Sequence, residues 1–194
     1  MERLFNYCID HCPSFEATCR TFVRSRSQTK HYQRKQVIKG EREHFPFFCM
    51  VLSGLVAGYR QNSTGKSILG ELMLPMDYFT GTQHPFTPRI REAEYVAFAD
   101  TTLLLIPVAD ARDGQHRLHG FAELVQVVKQ HKINFLEMMM DLEHEETTYD
   151  RYKLYIDRFG DRARWLPDAP QWQLLRVGRS TYYRMKSRYA RERS

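Results

Sequence analysis

The chain has 194 residues and a formal charge of +6, from 29 Lys and Arg against 23 Asp and Glu, with 42% hydrophobic and 13% aromatic residues. That composition excludes a wholly disordered chain, and the length excludes a large multidomain enzyme. The charge is uneven: residues 1–150 carry 17 basic and 19 acidic groups, whereas residues 151–194 carry 12 basic and 4 acidic ones, a net +8. Such a field concentrates polyanions, most commonly nucleic acid, although an acidic protein or a membrane surface is drawn by the same charge.

The start, MERLFNYCIDHCPSFEATCRTF, lacks the unbroken apolar core and small-residue cleavage site of a secretory leader. No run of about 18 apolar residues follows it, so a soluble cytoplasmic protein with no membrane partner is expected. Leu4, Phe5, Cys8, Ile9 and Cys12 recur at helical spacing before Pro13, predicting one or two short helices in the first 25 residues. Short apolar segments then follow at Val37–Gly40, Phe45–Val51, Gly54–Tyr59, Ser67–Leu74, Tyr95–Phe98 and Thr101–Ile106. They are divided by Gly, Asn, Ser, Pro and Asp, which predicts the strands of an antiparallel sandwich or barrel. Asn62, Ser63, Thr64 and Gly65 have the chemistry of a hairpin tip.

After Pro107 the period changes. Leu118, Phe121, Leu124, Val125, Val128, Ile133, Phe135, Leu136, Met139, Met140 and Leu142 fall three or four apart, predicting a long helix with an interruption around Lys129–Lys132. Its apolar positions exceed what one wet-sided helix needs, so part of the stripe reads as a subunit interface, with packing on the sheet as the alternative. The acidic run Asp141, Glu143, Glu145 and Glu146 reads as a solvated hinge, with Thr147 or Thr148 capping the next helix. The basic tail predicts helices over Thr147–Phe159, Pro170–Leu175 and Ser180–Tyr189, the last two joined tightly enough for a helix-turn-helix.

This order of parts resembles the bacterial transcription regulators typified by the catabolite activator and the fumarate-nitrate regulator. FFCMVLSGLVAGYR (Phe47–Arg60) is similar to the family's strand-turn-strand segment, and PMDYFTG (Pro75–Gly81) to its Gly-Asp-x-x-Gly stretch. Arg91, Ala93 and Ala97 match Arg-x-Ala-x-x-x-Ala, and LLRVGRSTYYRMKSR resembles the second half of the family's helix-turn-helix. The resemblance covers nearly the whole chain. It implies an α+β fold: a jelly-roll, or double-stranded β-helix, domain at 1–110, a dimerisation helix and hinge at 111–143, and a DNA-binding helix-turn-helix at 144–194. The sequence stops at Ser194, directly after the expected recognition helix, so a C-terminal wing is not expected.

The family's nucleotide cassette pairs Gly-Glu with a later Arg-Ser or Arg-Thr. Here the matching positions are Gly81-Thr82 and Arg91-Glu92. Thr82 is too short to replace the ribose-binding carboxylate, and Glu92 sets negative charge where the phosphate would lie. Cyclic-nucleotide binding is therefore not expected, while an unidentified small-molecule effector stays open. Arg91 is expected to pair with Glu92, Glu94 or Asp77. Gly70-Glu71 offers a second match, but it lies 20 residues before Arg91 in an apolar strand and is read as accidental.

Cys8, Cys12, Cys19 and Cys49 depart from the cluster-binding spacing of the fumarate-nitrate type and are expected to be free thiols, with no cofactor. Of the eight histidines, only His116 and His119 are close in sequence, which a solvated helix start explains equally well. No catalytic motif appears, and no enzyme activity is expected.

On the last helix, Ser180, Thr181, Arg184 and Arg188 share a side. Arg184 is the candidate for a guanine edge, with Ser180 and Thr181 nearer the helix start, while Arg176, Arg179 and Lys186 suit phosphates. Trp172 is expected in the core beneath this helix, with Tyr182 and Met185 seating it. The predicted function is a homodimeric, double-stranded-DNA-binding regulator. The alternative is a non-DNA-binding scaffold, favoured by Arg176 where the family's turn commonly has Gly and by Trp172 where it has a small residue, or a small-molecule sensor retaining the same fold.

Overall fold

The two longest apolar runs, in Phe47–Ser53 and Thr101–Pro107, are buried along almost their whole length, because each of their faces is covered by a different layer. The computed structural model describes residues 1–84, 87–160, 163 and 166–193. Among these, α1 (Glu2–His11) and α2 (Ala17–Arg26) precede strands β1 (Gln28–Tyr32), β2 (Val37–Lys39), β3 (Phe47–Ser53), β4 (Val56–Gln61), β5 (Ser67–Met73), β6 (Tyr78–Thr80), β7 (Glu94–Ala97) and β8 (Thr101–Pro107). Helices α3 (Val108–Arg117), α4 (His119–His144), α5 (Thr148–Phe159), α6 (Asp168–Leu174) and α7 (Arg179–Glu192) follow. Ser194, on which the expectation of a missing wing rests, lies outside the described residues.

The chain divides into two compact units, Met1–Lys132 and Ile133–Ser194. In the first, two four-stranded antiparallel sheets run in the orders β1-β8-β3-β6 and β2-β7-β4-β5, the arrangement of a β-roll. Alternate residues of β3 and β8 serve two cores. Phe48, Met50, Leu52, Leu104 and Ile106 meet Leu4, Phe5 and Cys8 of α1 and Phe121, Leu124, Val125 and Val128 of α4. Cys49, Val51, Leu103 and Leu105 face the other way, onto a cluster with Val56, Met73, Tyr95 and Ala97 of the second sheet.

The hairpin tip forms as expected, with the Asn62 side-chain oxygen accepting from the Thr64 and Lys66 amides. The expected interruption of the long helix does not occur: α4 is continuous through Lys129–Lys132, and the break falls earlier, at Leu118 between α3 and α4. Strands β1 and β6 are additions to the expected set. The sequence QTKHY of β1 is exposed at four of its five positions, because it pairs only with β8 at a sheet edge and has little apolar pattern to show.

In the second unit, the Thr147 hydroxyl caps α5 by accepting from the Asp150 amide. Tyr149, Tyr152, Tyr155 and Phe159 of α5 form its buried face, and Tyr182 and Met185 of α7 are buried as expected. The expected core role of Trp172 is not met. Trp172 is half-buried, and its neighbour Gln171 is the buried residue, at 3% exposure. Gln171 can be buried because its amide donates to the Ala163 and Leu166 carbonyls and accepts from the Tyr182 hydroxyl.

Gly54 turns β3 into β4 with φ at 91°, and a Cβ there would stand 2.4 Å from the Asp100 carbonyl oxygen. Gly54→Ala is expected to cost about 2–3 kcal/mol, from left-handed backbone strain together with overpacking. A urea titration of the full chain measures it, and an unchanged midpoint would contradict this packing.

Candidate functional site

Two places collect the residues singled out in the sequence. In the first unit, Gly81, Thr82, Arg91 and Glu92 flank the loop between β6 and β7. Gly81 donates to the Phe47 carbonyl and accepts from the Arg91 amide, and a Cβ on it would come within 1.7 Å of the Phe45 carbonyl oxygen. Only glycine fits this close backbone approach. Thr82 is buried, forms an isolated bridge with Ile90, and its hydroxyl donates to the His84 carbonyl at 3.0 Å. Glu92 is exposed. These four residues lie close along the backbone, but the Thr82 hydroxyl is already engaged.

Arg91 departs from its expected partners. Its guanidinium meets Glu71, whose motif match the sequence alone presents as accidental. The sheet register explains the meeting: Gly58 of β4 lies opposite Glu71 of β5 on one side and Tyr95 of β7 on the other, setting all three in one line across the strands. A Cβ on Gly58 would come within 2.9 Å of the Tyr95 ring and 3.2 Å of the Glu71 Cβ, so the missing side chain makes room for both.

Glu71 is only 6% exposed and receives three cations. Arg91 and Arg60 (2.5 Å) donate to Oε1, while Lys132 of α4 donates to Oε2 at 2.8 Å. The Lys132 ammonium also lies 5.6 Å from the centre of the Tyr78 ring. Burial opposes ionisation of Glu71, yet the charges of Lys132 and Arg91 and the hydrogen bonds from Lys132 and Arg60 outweigh it, taking its pKa from 4.5 to about 2.

A second buried charge steadies the same region. Lys39 is fully buried, and its ammonium, with three N–H donors, lies within hydrogen-bond distance of four carbonyls, those of Gly40 (2.8 Å), Glu41 (3.1 Å), Arg91 (2.9 Å) and Ala93 (3.0 Å). It fixes the backbone from which the Arg91 side chain springs. Burial lowers the Lys39 pKa, partly offset by Glu43 and Glu41.

The four thiols are buried and unpaired. Burial, with Cys12 the next cause, pushes Cys8 up to about 12, and burial with Glu123 takes Cys12 to about 11, so both hold their protons at neutral pH. Among the described residues no three His, Cys, Asp or Glu side chains converge as metal ligands. No described helix is long and apolar enough to cross a membrane.

In the second unit, α6 and α7 are joined by a short turn in which Arg176 has φ at 53°, the left-handed conformation that explains why glycine suits the position. Asp168, at the start of α6, accepts from the Tyr182 (3.1 Å) and Tyr183 (3.1 Å) hydroxyls and from Lys186 (2.8 Å), fixing α7 against α6. This hub is not legible in the sequence, because its donors lie 14 to 18 positions away.

The candidate DNA contacts divide accordingly. Arg176 pairs with Glu143 at 2.8 Å, Lys186 with Asp168, and Arg188 with Glu192 at 2.8 Å while lying over the Tyr149 ring. Arg179, Ser180 and Arg184 are exposed on α7 and held by no carboxylate among the described residues, with Arg179 lying over the Tyr183 ring; Thr181 is half-buried. In the second half of α4, Ile133, Leu136 and Met140 expose 46%, 48% and 59% of their surface at spacings that share one helix face.

No protein-family profile and no curated protein sequence matches the chain. Solved structures do. FixK2 from Bradyrhizobium japonicum aligns with a TM-score of 0.71 at 20% identity, over 86% of this chain and 85% of its own. CLP from Xanthomonas campestris, described as a c-di-GMP-responsive global regulator, aligns with 0.65 at 12% identity over 91% and 93%. The catabolite activator protein of Thermus thermophilus aligns with 0.53 at 21% identity over 93% and 87%. At these identities the likeness is one of fold.

Glu71 links this geometry to pH. Its folded pKa lies below the unfolded value, so its stabilisation is complete above about pH 5 and is lost as pH falls from 4.5 towards 2. The depression corresponds to about 3 kcal/mol at neutral pH. Denaturant titrations between pH 6 and pH 2 should show that loss in the wild type and a flatter profile in Glu71→Gln. Parallel profiles would contradict the assignment.

Proposed function

We propose that the chain is a homodimeric transcription regulator of the catabolite-activator type, non-enzymatic, that binds double-stranded DNA through α7 and does not respond to cyclic nucleotides. The observation that carries the reading is the exposed row Arg179, Ser180 and Arg184, on a helix seated by Tyr182, Met185 and Asp168. A rigid helix with a free guanidinium part-way along its exposed face and small hydroxyls near its start suits the major groove, and the +8 tail supplies the phosphate-directed field. The fold shared with CLP and the catabolite activator protein supports this reading.

In it, residues 1–110 are a sensor-like domain, 111–143 the dimerisation helix and hinge, and 144–194 the DNA reader. The apolar face at Ile133, Leu136 and Met140 supports pairing of two copies through α4. Against cyclic nucleotides stand the engaged Thr82 hydroxyl, the Glu92 carboxylate and the capture of Arg91 by Glu71. An unidentified effector of other chemistry is compatible with the same assembly.

Arg184 is assigned to a base edge and Arg179 to a phosphate. Arg184→Ala should cost about 1–3 kcal/mol on a selected duplex and little on random DNA, whereas Arg179→Ala should weaken both and lower the salt slope by about 1. Fluorescence anisotropy against selected and random duplexes across salt concentrations measures both. Wild-type affinity no stronger than that of an equally basic unfolded peptide would overturn the reading.

A further inference from the structure

The cluster around Glu71 holds three cations and one carboxylate. The cations come from separate parts of the first unit: Arg60 from β4, Arg91 from the segment before β7, and Lys132 from α4. They converge on both oxygens of one buried carboxylate, with two donors on Oε1 and one on Oε2. A bound carboxylate ligand would receive the same set of charge-assisted hydrogen bonds. Here the anion belongs to the protein, carried on β5. The bond to Lys132 spans 61 residues of sequence and ties the strands to α4. Lys132 is also the last residue of the first unit, so the tie falls where α4 passes into the second.

We propose that Glu71 is the resident anion of an anion-binding site formed by Arg60, Arg91 and Lys132, and that by occupying it Glu71 fastens α4 to the strands with no dissociable effector. Two properties follow. The native chain has no place for a free anion at these cations, because the carboxylate that fills it is covalently attached. Removal of that side chain uncovers a site for a small free carboxylate, since the mostly buried Arg91 and Lys132 then lose this counter-ion in a partly dry setting, with the half-exposed Arg60 at its edge. The inference is independent of DNA binding.

The full-length chain with Glu71→Ala tests it, using sodium formate as the probe and sodium chloride at equal ionic strength as the reference. Thermal melting and amide exchange across residues 119–132 are the readouts. The variant should melt lower than the wild type and exchange about tenfold faster in that stretch. Formate should reverse both changes saturably and more than chloride does, while leaving the wild type no different from its chloride control. Equal effects of formate and chloride on the variant, wild-type exchange in the variant, or a formate-specific response of the wild type would each overturn the proposal. Should Glu71→Ala fail to fold, Lys132→Met keeps the carboxylate and both arginines. It should preserve exchange protection in β3 and β8 while raising exchange in 119–132, and unchanged exchange there would overturn the proposal.

Discussion

A carboxylate buried among strands must be neutralised, and the first unit is arranged around meeting that requirement for Glu71. Removing a carboxylate from water costs several kcal/mol unless charge and hydrogen bonds replace the lost hydration. Gly58 clears the space, Arg60 and Arg91 approach one oxygen, and α4 brings Lys132 to the other. Each partner lies on a different segment, so the strands, the segment before β7 and the helix must be in register together for the charge to be tolerated. Lys39 repeats the logic with opposite sign, its ammonium enclosed by four carbonyls, one of them belonging to Arg91. The two buried charges act on the same stretch of chain, one from its backbone and one from its side chain.

The second unit uses a similar device nearer the surface. Asp168 gathers two tyrosine hydroxyls and a lysine from α7, and Gln171 joins Tyr182 to the carbonyls of Ala163 and Leu166. These polar ties fix the relation of α6 and α7 alongside the buried Leu174, Leu175, Tyr182 and Met185. They also sort the basic residues of the tail. Lys186 and Arg188 are drawn into structure, Arg176 is held by Glu143, and Arg179 and Arg184 remain directed to solvent. Net charge alone could not make that distinction, because it counts paired and unpaired cations alike.

What the sequence shows is local. The apolar runs of β3 and β8, the Asn62 turn, the Thr147 cap and the buried Tyr182–Met185 spacing are each legible within a window of a few residues. The Glu71 cluster is not legible. Its donors lie 11, 20 and 61 positions away, and a carboxylate in an apolar strand looks like an exposed outlier until the register places it beside Gly58 and Tyr95. Trp172 misleads for a related reason: its size suggests burial, but the hydrogen-bond partners that favour burial belong to Gln171, and they become visible only when Leu166 and Tyr182 are brought together. Strand β1 hides because an edge strand needs little apolar pattern.

In the proposed function two copies of α7 read DNA together, and hydroxyl-radical footprinting of the full-length chain on a duplex recovered by selection from random sequence measures this directly. Two-fold-related protected half-sites about 34 Å apart, one turn of the double helix, are predicted. A single protected half-site, or protection that follows no sequence, would contradict it.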